Sequence, residues 1–120
     1  MPTPAPDFYL ASASPRRREL LAQLRYRFAA LQVDIDETPQ PGETAAGLVL
    51  RLAGQKAAAG ARLVALNDPR PVLGADTAVS VDGRILGKPA TRDEAVAMLS
   101  LLSGREHHVL TGVALLHAGR

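Results

Sequence analysis

Three arginines occupy the first turn of a predicted helix, directly after a short apolar segment and a serine-rich turn. Ser14 fits the N-cap, Pro15 fits the first helical position, and residues 16–18 are all arginine. Because a helix N-terminus already carries positive partial charge, cations there lower its stability unless an anion binds. The pattern predicts a site for a polyphosphate or similar anion. From spacing alone, a solvated basic turn paired with Glu19 or an acidic loop has about equal weight.

A single carboxylate, Asp76, interrupts two apolar runs in the segment PVLGADTAVSV. A carboxylate in such surroundings needs a hydrogen bond, a cation or a metal to offset its desolvation. Gly74, two residues earlier, allows close approach of another backbone. These features favour a general base or a Mg²⁺ ligand over the alternative, a carboxylate that caps a loop at a strand end.

Two lysines could add positive charge to the same site. Lys56 follows Leu48 and Leu52 at intervals of four residues, so it interrupts the apolar face of a predicted helix. The alternative is a lysine that snorkels at the edge of that face. Lys88, in the segment GKP, could reach a phosphate. The segment is not a P-loop, because the spaced glycines and the following Ser or Thr are missing.

Asp34, Asp36 and Glu37 form an acidic cluster in a loop rich in proline and glycine. Their oxygens suit a hard cation such as Mg²⁺, while the alternative, a solvated loop, is common for such a segment. Cations that bind phosphate and carboxylates that bind Mg²⁺ are the groups that phosphoryl chemistry requires.

Composition narrows the class of protein. With 120 residues, 47% of them hydrophobic, the chain forms one domain or part of one with a real core. A net charge of +2 and 3% aromatic residues argue against a general nucleic-acid binder. The chain has no cysteine, no recognisable signal peptide and no run of about 20 apolar residues, so we expect a cytoplasmic protein outside the membrane.

The elements that must position these residues alternate between strands and helices. After a proline-rich lead-in at residues 1–7, we predict strands at residues 8–11, 28–33, 72–81, 84–86 and 108–116, the third of them in two parts around residues 74–76. Helices are predicted at residues 15–24, 44–66 and 91–102. This order of elements predicts a mixed α/β layer fold.

Apolar periodicity assigns a buried face to the two longer helices. On the first, this face consists of Leu48, Val49, Leu52, Ala59 and Leu63. On the second, which a capping box of Thr91 and Glu94 begins, it consists of Ala95, Met98, Leu99 and Leu102. The dipeptide Asp82-Gly83 predicts a hairpin turn between two strands.

Five segments follow one another along the chain: LASASPRRRELL, DIDETPQPGE, LRLAGQKA, LGADTAVSVDGRILGKP and AMLSLLSGREHHVLTGVAL. In their residues and in this order they resemble the Maf family of nucleoside triphosphate pyrophosphatases. The resemblance runs from about Phe8 to Leu116. It implies a single Maf-like domain over residues 1–120, with a mixed-sheet α/β fold and a cleft, similar to inosine triphosphatases and often found as a homodimer.

The resemblance also implies an activity: hydrolysis of a nucleoside triphosphate to the monophosphate and pyrophosphate with a divalent cation, Mg²⁺ or Mn²⁺. Asp76 would accept the proton of the attacking water and, with Glu37, would hold the metal. The residues that would contact the substrate are Ser12, Arg16, Arg17, Lys56, Thr77 and Lys88. The family is associated with removal of non-standard or excess nucleotides and with arrest of cell division when overproduced.

One branch of the family is favoured. Members that act on dTTP and UTP carry Arg after the SP dipeptide and Thr after GAD, as Arg16 and Thr77 do here. The branch that acts on 7-methyl-GTP tends to carry Trp and Gln at those places. We therefore expect the dTTP/UTP branch.

The sequence departs from the family at its C-terminal end. Family members continue with further strands, a helix and a motif resembling KAGAYGIQG, whose glutamine contributes to the site and to base choice, whereas this chain ends at Arg120. We expect a C-terminally truncated member that lacks one side of the cleft and exposes a sheet edge prone to self-association.

Two other functions are weighed against the enzyme. One is a non-catalytic nucleotide-binding or division-regulating homologue that keeps the phosphate site. The other is a small RNA- or DNA-binding module that uses residues 16–18, which the near-neutral charge and the scarcity of aromatic residues disfavour.

Overall fold

A computed structural model describes the chain at residues 6–12, 15–64, 67–82, 84–86, 91–102, 104 and 107–117. Of residues 15, 16, 101 and 102 it describes the backbone. The predictions for Ser14, Gly83 and Lys88, for residues 1–5 of the lead-in, and for the side chains of Arg16 and Leu102 lie outside the described residues.

Helices and strands follow one another in the predicted order. In the described part of the chain they are β1 (Phe8–Ala11), α1 (Pro15–Gln23), β2 (Phe28–Leu31), α2 (Ala45–Ala61), β3 (Val72–Val81), β4 (Arg84–Leu86), α3 (Arg92–Leu102) and β5 (His107–Leu116). None of these helices is long and apolar enough to cross a membrane.

One mixed sheet contains all these strands, and β3 lies at its centre. The order is β2-β1-β3-β4, and β5 pairs with the opposite edge of β3. β1 is parallel to both β2 and β3, while β4 and β5 are antiparallel to β3. The pairing of Val81 with Arg84 shows the predicted hairpin between β3 and β4. The predicted mixed α/β fold is therefore confirmed.

Several predicted boundaries are wrong. β3 is one continuous strand, because β5 pairs with it without a break, with Asp76 opposite Gly112. β2 ends two residues early, at Leu31, and β5 begins one residue early, at His107. α2 ends at Ala61, where the N–H of Arg62 bonds to carbonyl oxygens within the last turn.

The core lies between α2 and the sheet. Thr44 caps α2, its side chain accepting from the N–H of Gly47 at 3.1 Å. The buried apolar residues of this layer are Leu10, Ala11, Ala45, Leu48, Val49, Leu52, Ala53, Ala57, Val72, Ala75, Ala78 and Val81. The predicted face of α2 is correct in its first half, but Ala59 is half-buried and Leu63, beyond the helix end, is exposed.

Apolar side chains are much less buried on helix α3 and on the face of β5 that points away from α2. Val109, Val113 and Leu115 alternate along β5 and are exposed. On α3, Glu94 N–H bonds to Thr91 Oγ1 at 3.1 Å, as the predicted cap requires. Leu99, which was expected on its buried face, is 68% exposed. Within the described residues, β5 pairs with β3 alone.

Candidate functional site

Three buried polar residues mark the site. In the described part of the chain, Ser12, Lys56 and Asp76 are the polar or charged residues that are buried, with 1%, 9% and 6% of their surfaces exposed. All three belong to the predicted site. Ala11 pairs with Gly74 in the parallel strands β1 and β3. Ser12 directly follows the carboxyl end of β1 and therefore lies close to Asp76.

Lys56 holds two carboxylates at its ammonium group. Its Nζ donates to Asp76 Oδ1 at 2.9 Å and lies 3.0 Å from Glu37 Oε1. Burial lowers the pKa of Lys56, but the hydrogen bonds to Asp76 and Glu37 and their charges outweigh burial, so this pKa is raised. We call Glu37, Lys56 and Asp76 the Lys56 cluster. Its lysine is buried and paired, not extended to solvent at the helix edge.

The position of Lys56 follows from a close contact between α2 and β3. A Cβ atom at Gly74 would lie 2.3 Å from the carbonyl oxygen of Ala53, so the helix backbone rests on the strand. Lys56 lies one turn after Leu52 and therefore on the buried face. Asp76 lies two residues after Gly74, on the same face of β3, and meets it there.

The arginines of α1 fold back onto the end of β1 and the middle of β3. Arg17 Nη1 donates to Ser12 Oγ at 3.2 Å and to the carbonyl oxygen of Ala75 at 3.4 Å, and its Nη2 donates to Thr77 Oγ1 at 3.0 Å. Arg18 Nη2 donates to the carbonyl oxygen of Ser12 at 3.0 Å, and its buried Nε finds no acceptor among the described residues. Both side chains thus contact the residues of the site.

Asp76 and Thr77 face opposite sides of the sheet, because successive residues of a strand alternate. The Lys56 cluster lies on the α2 side, and the hydroxyl of Thr77 lies on the side that Arg17 reaches. Thr77 Oγ1 also lies 3.0 Å from Thr111 Oγ1 on β5. The sequence analysis missed Thr111, since only the register of β3 against β5 identifies it.

Two members of the acidic cluster, Asp36 and Glu37, have different partners. Glu37 joins Lys56, but Asp36 Oδ1 accepts from the N–H of Thr38 at 3.0 Å. A hydrogen bond with the Thr38 side chain and this backbone bond lower the pKa of Asp36. Asp36 also lines a second groove of about 620 Å³, whose lining does not include Asp76. Glu37, and not Asp36, therefore shares the ammonium of Lys56 with Asp76.

A cavity of about 490 Å³ opens beside the Lys56 cluster. Glu37, Asp76 and Thr77 line its polar part. The apolar part is formed by Pro39, Leu48, Leu52, Ala78, Ile85 and Leu86. Such a mixture of an apolar wall and a few convergent polar groups is typical of small-molecule sites.

The fit to a divalent cation rests on two carboxylates. No group of three or more His, Cys, Asp or Glu side chains is arranged around a common point in the described ranges. Glu37 and Asp76 do converge, each within 3.0 Å of the same nitrogen of Lys56. Mg²⁺ commonly binds through one or two carboxylates together with substrate phosphates, so this pair fits such a cation.

Most predicted site residues therefore lie in two adjoining groups along β3. Glu37, Lys56 and Asp76 form one group, and Ser12, Arg17 and Thr77 form the other. The backbone of Ala75, next to Asp76, accepts from Arg17 and joins the two.

Comparisons with known proteins agree on one family. A family model described as Maf-like protein matches residues 7–120. The dTTP/UTP pyrophosphatase of Myxococcus xanthus (strain DK1622) is 57% identical over 112 residues, which cover 92% of this chain and 54% of the relative. The dTTP/UTP pyrophosphatase of Burkholderia orbicola (strain AU 1054) is 54% identical over 121 residues, covering 94% and 58%.

A third relative extends the same pattern. The dTTP/UTP pyrophosphatase of Saccharophagus degradans is 52% identical over 111 residues, covering 91% of this chain and 52% of the relative. The chain spans about half the length of the curated relatives it matches.

Proposed function

The chain belongs to the Maf family, and from this premise we propose that it hydrolyses dTTP or UTP to the monophosphate and pyrophosphate. The observation that carries the proposal is the Lys56 cluster beside a cavity, with Arg17 bonded to the residues of β3 on either side of Asp76. A buried ammonium that holds two carboxylates next to a second cation supplies the charges that phosphoryl chemistry needs.

The phosphate groups would bind at the N-terminus of α1, where β1 ends beside β3. Arg17 and Arg18 lie at the N-terminus of α1, where backbone N–H groups also favour an anion. Lys56 adds an ammonium from α2. The buried Arg18 Nε, which has no acceptor among the described residues, suits a donor to a phosphate oxygen. Arg16 and Lys88 are proposed as further contacts on the resemblance alone.

Glu37 and Asp76 would hold a divalent cation, Mg²⁺ or Mn²⁺. When bound, this cation neutralises phosphate charge and polarises the phosphorus–oxygen bonds. Lys56 Nζ lies within 3.0 Å of both carboxylates, so the ammonium must give up part of this pairing when the cation binds. It is then available to the phosphates.

Asp76 would act as the general base. Its carboxylate accepts a proton from a water molecule as the water oxygen forms a bond to the α-phosphorus. The bond from the α-phosphorus to the bridging oxygen breaks, and pyrophosphate leaves with the electron pair. Arg17, Arg18 and Lys56 stabilise the charge that develops on the leaving group.

The choice of dTTP and UTP rests on Arg16, Thr77 and the names of the relatives. The apolar wall that includes Leu48, Leu52 and Ile85 would pack against the nucleoside. We further propose a cytoplasmic protein that folds as a single domain over residues 1–120 and forms a homodimer.

Product analysis tests the proposal. The chain is incubated with Mg²⁺ and dTTP, UTP or 7-methyl-GTP, and ³¹P NMR follows the release of pyrophosphate. We expect pyrophosphate from dTTP or UTP with the wild type, and release about 10³-fold slower with Asp76→Asn. Asp68→Asn, a carboxylate change outside the site, is the matched control and keeps its activity. A folded wild type that binds dTTP but releases nothing would support the non-catalytic nucleotide-binding homologue instead.

A further inference from the structure

A pair of threonines links β5 to the arginine of the site. In the β3–β5 pairing, Thr77 lies opposite Thr111, and their hydroxyl oxygens are 3.0 Å apart. Thr77 Oγ1 also accepts from Arg17 Nη2 at 3.0 Å. Thr111, Thr77 and Arg17 thus form one hydrogen-bonded chain that runs across β5, β3 and α1.

The need to satisfy buried polar groups does not explain this series of hydrogen bonds. Both Thr77 and Thr111 are exposed, so each hydroxyl could bond to water at little cost. A lone threonine hydroxyl rotates, and its lone pairs take any direction around the Cβ–Oγ1 bond. A second hydroxyl at hydrogen-bonding distance restricts that rotation. Thr111 therefore selects the orientation in which Thr77 receives the N–H of Arg17.

We propose that Thr111 is a positioning residue that orients Arg17 through the hydroxyl of Thr77. The hydroxyls of Thr77 and Thr111 lie on the side of the sheet away from the Lys56 cluster, so Thr111 acts through Arg17 and not by contact with Asp76. The kinetic consequence rests on the proposed function: an Arg17 that is less well held binds the triphosphate more weakly.

Three variants separate positioning from mere stabilisation of the sheet. Thr111→Val removes the hydroxyl at almost constant volume, and Thr111→Ser restores it. Thr91→Val removes the capping hydroxyl of α3, far from Arg17 in the sequence, and lowers stability without touching the chain of hydrogen bonds. The melting temperature of each variant is recorded beside every other readout.

Arginine side-chain NMR of the full chain without nucleotide is the first readout. We expect the Nη and Nε signals of Arg17 to shift in Thr111→Val, with proton exchange about fivefold faster. They should stay unchanged in Thr111→Ser and Thr91→Val. Signals that are the same in all three variants would overturn the positioning role, whether or not the chain hydrolyses dTTP.

Steady-state kinetics are the second readout. Thr111→Val should raise KM for dTTP by about threefold to tenfold with kcat within twofold, and Thr111→Ser should restore KM. In an Arg17→Lys background the same change should have no further effect, because the partner of Thr77 is altered. An equal rise in KM in that background would overturn the inference. If the wild type itself does not turn over, the proposed function fails and the NMR result alone decides the role of Thr111.

Discussion

Two clusters of ion-paired side chains lie along β3, one just before the strand and one within it, and they differ in their cations and in the chain separation of their members. The Asp68 cluster, which consists of Tyr9, Asp68 and Arg70, lies just before β3. Arg70 grips Asp68 through two nitrogens, at 2.8 and 2.6 Å, and its guanidinium lies 5.0 Å from the centre of the Tyr9 ring. The hydroxyl of Tyr9 donates to the same carboxylate. The Lys56 cluster lies farther along β3, at Asp76.

The difference lies in the cation and in the separation along the chain. Asp68 and Arg70 are two residues apart, and the planar guanidinium fixes the carboxylate at both oxygens. Lys56 and Asp76 are 20 residues apart and meet at one rotatable ammonium that also serves Glu37. A bidentate guanidinium–carboxylate pair between residues two positions apart stabilises the conformation of a loop. An ammonium that contacts two carboxylates can leave one of them and bind another anion. This difference leads us to assign structure to the first cluster and chemistry to the second.

Exchanging a carboxylate for an amide should separate the clusters most strongly. Asp76→Asn removes the proposed base, so we expect the rate of pyrophosphate release from dTTP to fall by about 10³-fold. Calorimetric binding of dTTP should persist. Asp68→Asn should keep the rate within twofold of the wild type. Retained turnover in Asp76→Asn would remove this residue from the proposed role.

Removing the ammonium of Lys56 should raise KM for dTTP and strengthen the binding of a divalent cation. Lys56→Met removes a cation from the proposed phosphate site, so KM for dTTP should rise by about tenfold or more. It also leaves Glu37 and Asp76 without their ammonium, so Mg²⁺ should bind more tightly in the absence of nucleotide. Titration with Mn²⁺ by electron paramagnetic resonance measures this second effect.

The matched control for the lysine is Arg70→Met, which removes a cation from the Asp68 cluster. It should change neither KM nor the affinity for Mn²⁺. If Lys56→Met binds Mn²⁺ no better than the wild type does, Lys56 does not compete with the metal for the carboxylates.

Loss of the Asp68 cluster should appear in stability. Asp68→Asn breaks the guanidinium fork and leaves the Tyr9 hydroxyl with a weaker acceptor, so the melting temperature should fall by about 4 °C. Circular dichroism melts at pH 7 measure it. A drop in activity without any change in melting temperature would contradict the structural role.

The Asp68 cluster should lose its contribution to stability at acidic pH, and the Lys56 cluster should lose its contribution at basic pH. The hydrogen bonds from Arg70 and Tyr9 hold the pKa of Asp68 well below its ordinary value of 3.8. The cluster therefore stabilises the fold fully above that value and loses this contribution as the pH falls below it. The pKa of Lys56 is raised above 10.5, so its contribution is full below that pH and is lost above it.

Urea midpoints across pH measure this contrast, which is the smallest of the expected effects. The difference between the wild type and Asp68→Asn should narrow from pH 4 toward pH 2. The difference between the wild type and Lys56→Met should narrow only above about pH 10.5. A Lys56→Met difference that stays constant into this basic range would mean that Lys56 does not stabilise the fold as a charged group.

The sequence identified the members of the Lys56 cluster but not their arrangement. Asp76 stood out because it interrupts an apolar run, and Lys56 because it interrupts a helical stripe. Local patterns of this kind record burial, yet they do not say which buried charge meets which. The pairing across 20 residues depends on how α2 lies on the sheet, and Gly74 was the single local sign of that contact.

What could not be predicted depends on tertiary pairing. The unbroken β3 needs β5 as its neighbour, and the role of Thr111 needs the register between them. Arg25 adopts a left-handed conformation, with a φ of 63°, at the end of α1, where glycine would be the expected residue. The N–H groups of Arg25 and Tyr26 bond to carbonyl oxygens of the preceding turn, so the helix end overrides the preference of the side chain.

Backbone contact between α2 and the sheet has a consequence for divergence. At Gly74 and at Gly112, an added Cβ would lie within 2.5 Å of helix backbone atoms, so main chain meets main chain at both points. The spacing between Lys56 and Asp76 is therefore set by peptide atoms that every sequence shares. Nearby apolar residues, such as Leu48 and Val49, can be replaced during evolution by others of similar volume while Lys56 and Asp76 keep their separation. The two glycines, which carry no chemistry of their own, are the positions where such drift would be least tolerated.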